Sequence, residues 1–182
     1  FYINGEWVAP LSSDTMPVMN PATEAQIGTV ALGNAADVDR AVAAAAAAFE
    51  SFSQTSKAER MALLVNLKAI TERRLEELAQ AMRMEMGAPI TMSREVQADA
   101  AIGHLQGFID ALDELEERLT LPNGDVMLRE AIGVCGLITP WNWPMNQVTL
   151  KVLPALATGC TCVLKPSEHT PISAIVYADM LH

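Results

Sequence analysis

The sequence is poor in aromatic residues, at 5%, and poor in basic ones: 12 Lys and Arg face 22 Asp and Glu, for a formal net charge of −10. Such a surface repels phosphate backbones and anionic headgroups, which excludes nucleic acid and membrane surfaces as main partners. No uninterrupted apolar run approaches the roughly 20 residues of a membrane span. There are only three cysteines, Cys135, Cys160 and Cys162, and none has metal-ligand spacing. Their odd number and the alternation of Cys160 with Cys162 argue against disulfides and for a reducing, cytoplasmic setting, with all three thiols serving as small buried hydrophobes. No metal site is expected. The glycine-rich Gly-x-Gly-x-x-Gly fingerprint and the phosphate loop ending in Gly-Lys-Ser/Thr are also missing.

What is present is a globular composition, 51% apolar and 19% charged over 182 residues, enough for one domain or for most of one and part of another. The chain reads as a segment of something longer. Residue 1 is Phe rather than Met, and the pattern stops at His182, one or two turns into a helix beginning at Thr170.

Periodicity orders the chain. Phe1 to Val8 and Val18 to Leu32 carry β-branched residues around Asn4-Gly5 and Asn20-Pro21, and read as short antiparallel strands. Asn34 with Asp37 forms a capping box ahead of a helix to Phe52, whose stripe is Val38, Val42, Ala45, Phe49 and Phe52. Ser56 with Glu59 opens a second helical tract to Met86, bent or broken near Thr71 to Arg74 and ended by Gly87 and Pro89. A third helix is expected from about Thr91 to Leu115, with Val96, Ile102, Leu105, Ile109 and Leu112 on its apolar side and His104 nearby as a surface or satisfied core histidine. Arg118 to Glu130, around Pro122-Asn123-Gly124-Asp125, has the signature of a β-hairpin.

Residues 132–171 resist explanation by folding alone. An apolar run, Val134 to Ile138, ends in the rigid corner Pro140-Trp141-Asn142-Trp143-Pro144; a helix and a second apolar run, Cys160 to Leu164, follow. In open parallel sheets ligands sit at the carboxyl ends of the strands, so Thr139 to Asn142 and Lys165 to Glu168 should face one crevice. Pro144 suits a first helical turn. Asn142 is either a helix N-cap or a fixed amide donor, and such a donor aimed at a developing oxyanion supplies on the order of 3 kcal/mol. Cys160 to Leu164 is the near-continuous apolar type of strand that parallel sheets bury on both faces. At its carboxyl end, Lys165 and Glu168 are either solvated loop charges or a pair fit to bind the vicinal hydroxyls of a ribose.

Three motifs together, Gly133-Val-Cys-Gly-Leu-Ile-Thr-Pro-Trp-Asn-Trp-Pro, Pro154-Ala-Leu-Ala-Thr-Gly-Cys and Val163-Leu-Lys-Pro-Ser-Glu, closely resemble the NAD(P)-dependent aldehyde dehydrogenases. The likeness extends over nearly the whole chain, through Ile3-Asn-Gly-Glu-Trp-Val, Asn20-Pro-Ala-Thr-Glu and Ser56-Lys-Ala-Glu-Arg. It implies an α/β fold in truncated form. Residues 1–117 would be the strands and helices of the cofactor-binding domain, 118–131 a bridging hairpin used for homodimer or homotetramer assembly, and 132–182 the first β-α-β-α of a Rossmann-like sheet. It further implies oxidation of an aldehyde to a carboxylic acid with NAD, NADP being possible. Asn142 would be the oxyanion-hole donor, Ile138, Thr139, Pro140, Trp141 and Asn142 would line the cofactor cleft, and Lys165, Ser167 and Glu168 would surround the adenosine ribose. The family's nucleophilic cysteine and general-base glutamate belong to later motifs, which do not occur in these residues, so the segment by itself is expected to be inactive. Two other readings compete: a non-catalytic nucleotide-binding or oligomerisation module, and a helical interaction protein resting on residues 34–117.

Overall fold

The computed structural model describes residues 1–182. Two antiparallel ribbons open the chain. β1 (Tyr2–Ile3) and β2 (Glu6–Trp7) are joined by Asn4-Gly5, both at positive φ (55° and 76°), as a two-residue hairpin turn requires. β3 (Thr15–Met19) pairs with β4 (Gln26–Ala31) across the turn at Asn20, whose Oδ1 accepts the Ala22 amide (2.9 Å). This ribbon begins ahead of Val18, since a two-stranded ribbon has only edge strands and so accommodates Pro17.

The helices follow their start signals. Asn34 caps α1 (Ala35–Phe52): the Asp37 amide donates to Asn34 Oδ1 (3.1 Å) and the Asn34 amide to Asp37 Oδ2 (3.2 Å). Ser56 and Glu59 do the same for α2 (Lys57–Arg73). The expected break falls at Arg74 (φ −106°, ψ 14°), after which α3 (Leu75–Glu85) begins. The third tract is interrupted: α4 (Ile90–Met92), a π-helical stretch Ser93–Ala98, then α5 (Asp99–Glu114). Wider π turns shift the helical phase. Val96, expected on the apolar side, is therefore 45% exposed, while Gln97 and Ala98 point inward. Leu105 and Leu112 are buried as expected.

β5 (Arg118–Thr120) and β6 (Val126–Leu128) form the hairpin, with Arg118 opposite Leu128 and a turn at Asn123-Gly124. β7 (Val134–Ile138), α6 (Pro144–Ala157), β8 (Thr161–Lys165) and α7 (Pro171–Leu181) then give a right-ordered β-α-β-α run. The two strands are parallel, from Val134 opposite Thr161 to Ile138 opposite Lys165.

Alternation along β8 places its helices. Leu164 and, on β7, Leu137 pack against the main core with α6, whereas Thr161 points the other way and donates from Oγ1 to Ala45 O of α1 (2.8 Å). The inner side of α1 is made of half-buried alanines 41, 44 and 45, and this close approach turns Val38 (53% exposed) and Val42 (42%) outward, contrary to the expected stripe. The main core joins Leu64 and Leu67 of α2, Leu78 and Met82 of α3, Leu105 and Leu112 of α5, Val148 and Leu153 of α6 and Tyr177 of α7. Arg60, itself buried, locks this layer: its Nε donates to Ala157 O at the end of α6 (2.9 Å), and its other nitrogens donate to Thr55 O and Glu117.

Two expectations for β8 are corrected. Only Thr161 on the strand is buried, with Cys162, Val163 and Leu164 half-buried, because two strands leave both sheet edges open. The thiols are all free, yet only Cys160 is buried; Cys135 and Cys162 are partly accessible. No helix is long and apolar enough to cross a membrane.

Candidate functional site

The site is set by the end of the parallel ladder. Ile138 and Lys165 are partners on its last rung, and the Thr139 amide adds one more bond to Lys165 O (3.3 Å). Two loops therefore leave the sheet side by side. The first is Thr139 to Trp143. Thr139 is buried at 4%, while Pro140, Trp141 and Asn142 are exposed. Trp143 closes the corner in a left-handed conformation (φ 65°, ψ 59°), which costs a non-glycine residue roughly 1–2 kcal/mol. It hands the chain to Pro144 at the first turn of α6, where a missing N–H is harmless.

The cap position of α6 is thus Trp143, with no side-chain capping bond, and the N-cap reading of Asn142 fails. The Asn142 amide is exposed and bonded to no other group of the chain, a donor open to solvent.

The second loop is Lys165 to Thr170. Lys165 Nζ donates to Glu168 Oε2 (2.6 Å), and the two side chains are 64% and 39% exposed. The hydrogen bond from Lys165 holds the Glu168 carboxyl below the usual carboxylate range, so Glu168 is ionised at neutral pH. Glu168 Oε1 remains open to an incoming donor. Ser167 departs from expectation: it is 7% exposed, and its Oγ accepts the His169 amide (3.3 Å) while its carbonyl accepts that of Thr170 (3.2 Å). Its hydroxyl shapes the turn.

The loops meet over a cavity of about 340 Å³ lined by Trp141 from the first, His169 and Thr170 from the second, Val18 and Met19 of β3, and Glu85. Ile138, at 74% exposure, stands at the mouth of the strand pair. Asn142, Lys165 and Glu168 do not line this cavity; the Lys165–Glu168 donor set suits a ribose, one carboxylate with a free oxygen and one ammonium beside it, with apolar Ile138 opposite Lys165.

Sequence reasoning passed over Glu85. It is 4% exposed at the last position of α3, and it accepts the amides of Ile172 and Ser173. The signal was an acid at a helix carboxyl terminus, where the dipole disfavours it. His104 is satisfied: Thr149 Oγ1 donates to Met145 O (2.6 Å) and is bonded to His104 Nδ1 (2.9 Å).

A parallel strand pair with α-helices on its faces and two polar loops at its carboxyl ends defines an open α/β protein of the ligand-in-crevice class. The aldehyde dehydrogenase family model matches residues 7–182. Aldehyde dehydrogenase from Bartonella henselae superposes with a TM-score of 0.97 at 44% identity, over 100% of this chain and 39% of that one. A mutant of aldehyde dehydrogenase C from Pseudomonas syringae, solved with NAD+ and octanal, gives 0.97 at 49% identity, over 100% of this chain and 37% of that one. A curated Staphylococcus aureus relative is 49% identical over 181 residues. The chain belongs to the aldehyde dehydrogenase family and spans 38% of the length of the curated relatives it matches.

Proposed function

We propose that the protein carrying this chain oxidises an aldehyde to a carboxylic acid with NAD as hydride acceptor, and that residues 1–182 supply the oxyanion donor and the adenosine-ribose contacts. The observation that carries this is the pairing of a free, exposed Asn142 amide with the hydrogen-bonded Lys165–Glu168 pair on loops that leave the same last rung of one ladder. NAD complexes among the similar structures support the choice of cofactor.

In this reading Glu168 accepts from the ribose hydroxyls, Lys165 holds Glu168 and donates to the same group, and Ile138, Thr139, Pro140 and Trp141 line the cleft. Ser167 serves the turn that presents them. Bound NAD supplies the acceptor for the hydride. A thiolate from outside these residues attacks the aldehyde carbon, and Asn142 Nδ2 donates to the oxygen as it becomes an alkoxide. Because that charge is absent in the ground state, the bond stabilises the transition state selectively. A negative Glu168 disfavours a 2′-phosphate, hence NAD over NADP.

Asn142→Ala in the full-length enzyme is expected to lower kcat by about 10²–10³. The KM for NAD should stay within about twofold, as befits a group that acts in the transition state alone. An unchanged kcat in steady-state absorbance at 340 nm would remove the oxyanion role.

A further inference from the structure

Helix α7 starts without a cap of its own. Pro171 at its first position has no N–H, and Thr170 before it makes no side-chain bond to the helix. The next two amides, Ile172 and Ser173, both donate to one carboxylate, that of Glu85, 87 and 88 residues away in sequence. Glu85 is buried and forms no salt bridge. Its charge opposes the dipole of α3, whose last residue it is, and complements that of α7. Two amide donors and a helix amino terminus are what a buried carboxylate needs to stay ionised. Desolvation by burial raises its carboxyl nonetheless.

What lies just ahead of α7 gives this contact its meaning. The loop from Lys165 to Thr170 is a tight turn with two ends. The first is fixed by the ladder through Lys165, and the second is the start of α7. Glu85 is the side chain that holds that second end, and it also faces the cavity that Trp141 and His169 line.

We propose that Glu85 is a positioning residue for the dinucleotide: by anchoring the first turn of α7 it holds Glu168, beside the Lys165 that the ladder fixes, where the pair receives the ribose. This rests on the reading of Lys165 and Glu168 as ribose contacts. Glu85 itself touches neither the dinucleotide nor the aldehyde.

The test is direct titration of the full-length protein with NAD in the absence of aldehyde, by calorimetry, together with amide hydrogen exchange over residues 171–181. Glu85→Ala is expected to weaken NAD binding about tenfold, equivalent to ~1.4 kcal/mol, and to speed exchange at Ile172 and Ser173. The KM for NAD should rise in step, with kcat at saturating NAD within about twofold of wild type. Glu85→Gln keeps one acceptor oxygen and is expected to fall between the two, which preserves the test if Glu85→Ala folds poorly. Leu78→Ala is the control. It removes a fully buried side chain from the same helix, so it lowers stability while leaving NAD affinity unchanged.

Wild-type affinity in both Glu85 variants, or an equal loss in Leu78→Ala, would overturn the proposal. A Glu168→Ala arm separates the two layers. Should Glu168→Ala bind NAD normally, the ribose reading fails. Should it bind weakly while the Glu85 variants bind normally, only the positioning role fails.

Discussion

Two buried carboxylates cap helices from opposite positions, and their protonation runs in opposite directions. Asp37 sits inside the first turn of α1, and the amides of Leu11, Asn34 and Ser12 together with Arg40 hold it below its ordinary value despite burial. Glu85 caps α7 from the far end of another helix, and burial outweighs its two amides, so its carboxyl is raised above 4.5. Between that value and the raised one the native state binds more protons than the unfolded state, so Glu85 contributes stability at low pH that is lost as pH rises through its folded pKa. Glu85→Gln should abolish this loss. Urea unfolding from about pH 4 to about pH 8 is expected to show the variant gaining on wild type as pH rises, and parallel curves would contradict the assignment. The variant would then show the flatter pH dependence of stability and the weaker NAD binding. Asp37 with Asn34, and Glu59 with Ser56, were legible in the sequence because both partners of each box lie three residues apart. Glu85 was not, because its partners are 87 and 88 residues on and become neighbours only when α3 and α7 pack. The N-cap reading of Asn142 was removed by one backbone angle, the left-handed φ at Trp143, which no periodicity encodes.

At the level of elements, local signals placed the starts of α1, α2, α6 and α7 and the hairpin turn, while the interruption of the third tract at Ser93–Ala98 and the helical phase needed the tertiary structure. Val96 was assigned to a buried stripe on an unbroken 3.6-residue period, and the π-helical stretch Ser93–Ala98 rotates it out. Val38 and Val42 were expected inside because they share helical spacing with Ala45, Phe49 and Phe52, yet the side bearing Ala41, Ala44 and Ala45 lies closer to β8 and therefore faces in. The hairpin was read correctly as β5 and β6, and it leaves Leu121, Val126 and Leu128 at 36%, 44% and 54% exposure. Apolar side chains along a two-stranded ribbon need a cover, and we propose that a second copy of the protein supplies it. Val126→Asp with Leu128→Asp in the full-length protein is expected to lower the assembled mass measured by light scattering. An unchanged mass would assign assembly to another surface.

For the whole molecule, the positions of the thiols decide what the chain can do unaided. Cys135 is the second residue of β7 and Cys160 precedes β8, both on the amino-terminal side of the ladder, whereas Asn142 lies beyond its carboxyl end. Cys162, on the same strand as Lys165, has its thiol pushed up to about 11 by burial and is a poor nucleophile. Residues 1–182 as an isolated polypeptide are therefore expected to produce no NADH from aldehyde and NAD at 340 nm, and measurable turnover would require a nucleophile among these three. The last rung of the ladder has one more consequence. Because Ile138 and Lys165 are register partners, the loops bearing Asn142 and Glu168 depart from points separated by one inter-strand spacing of about 4.8 Å. The strand register thus sets where both loops begin, and the Glu85 carboxylate, through the first turn of α7, sets where the second one ends.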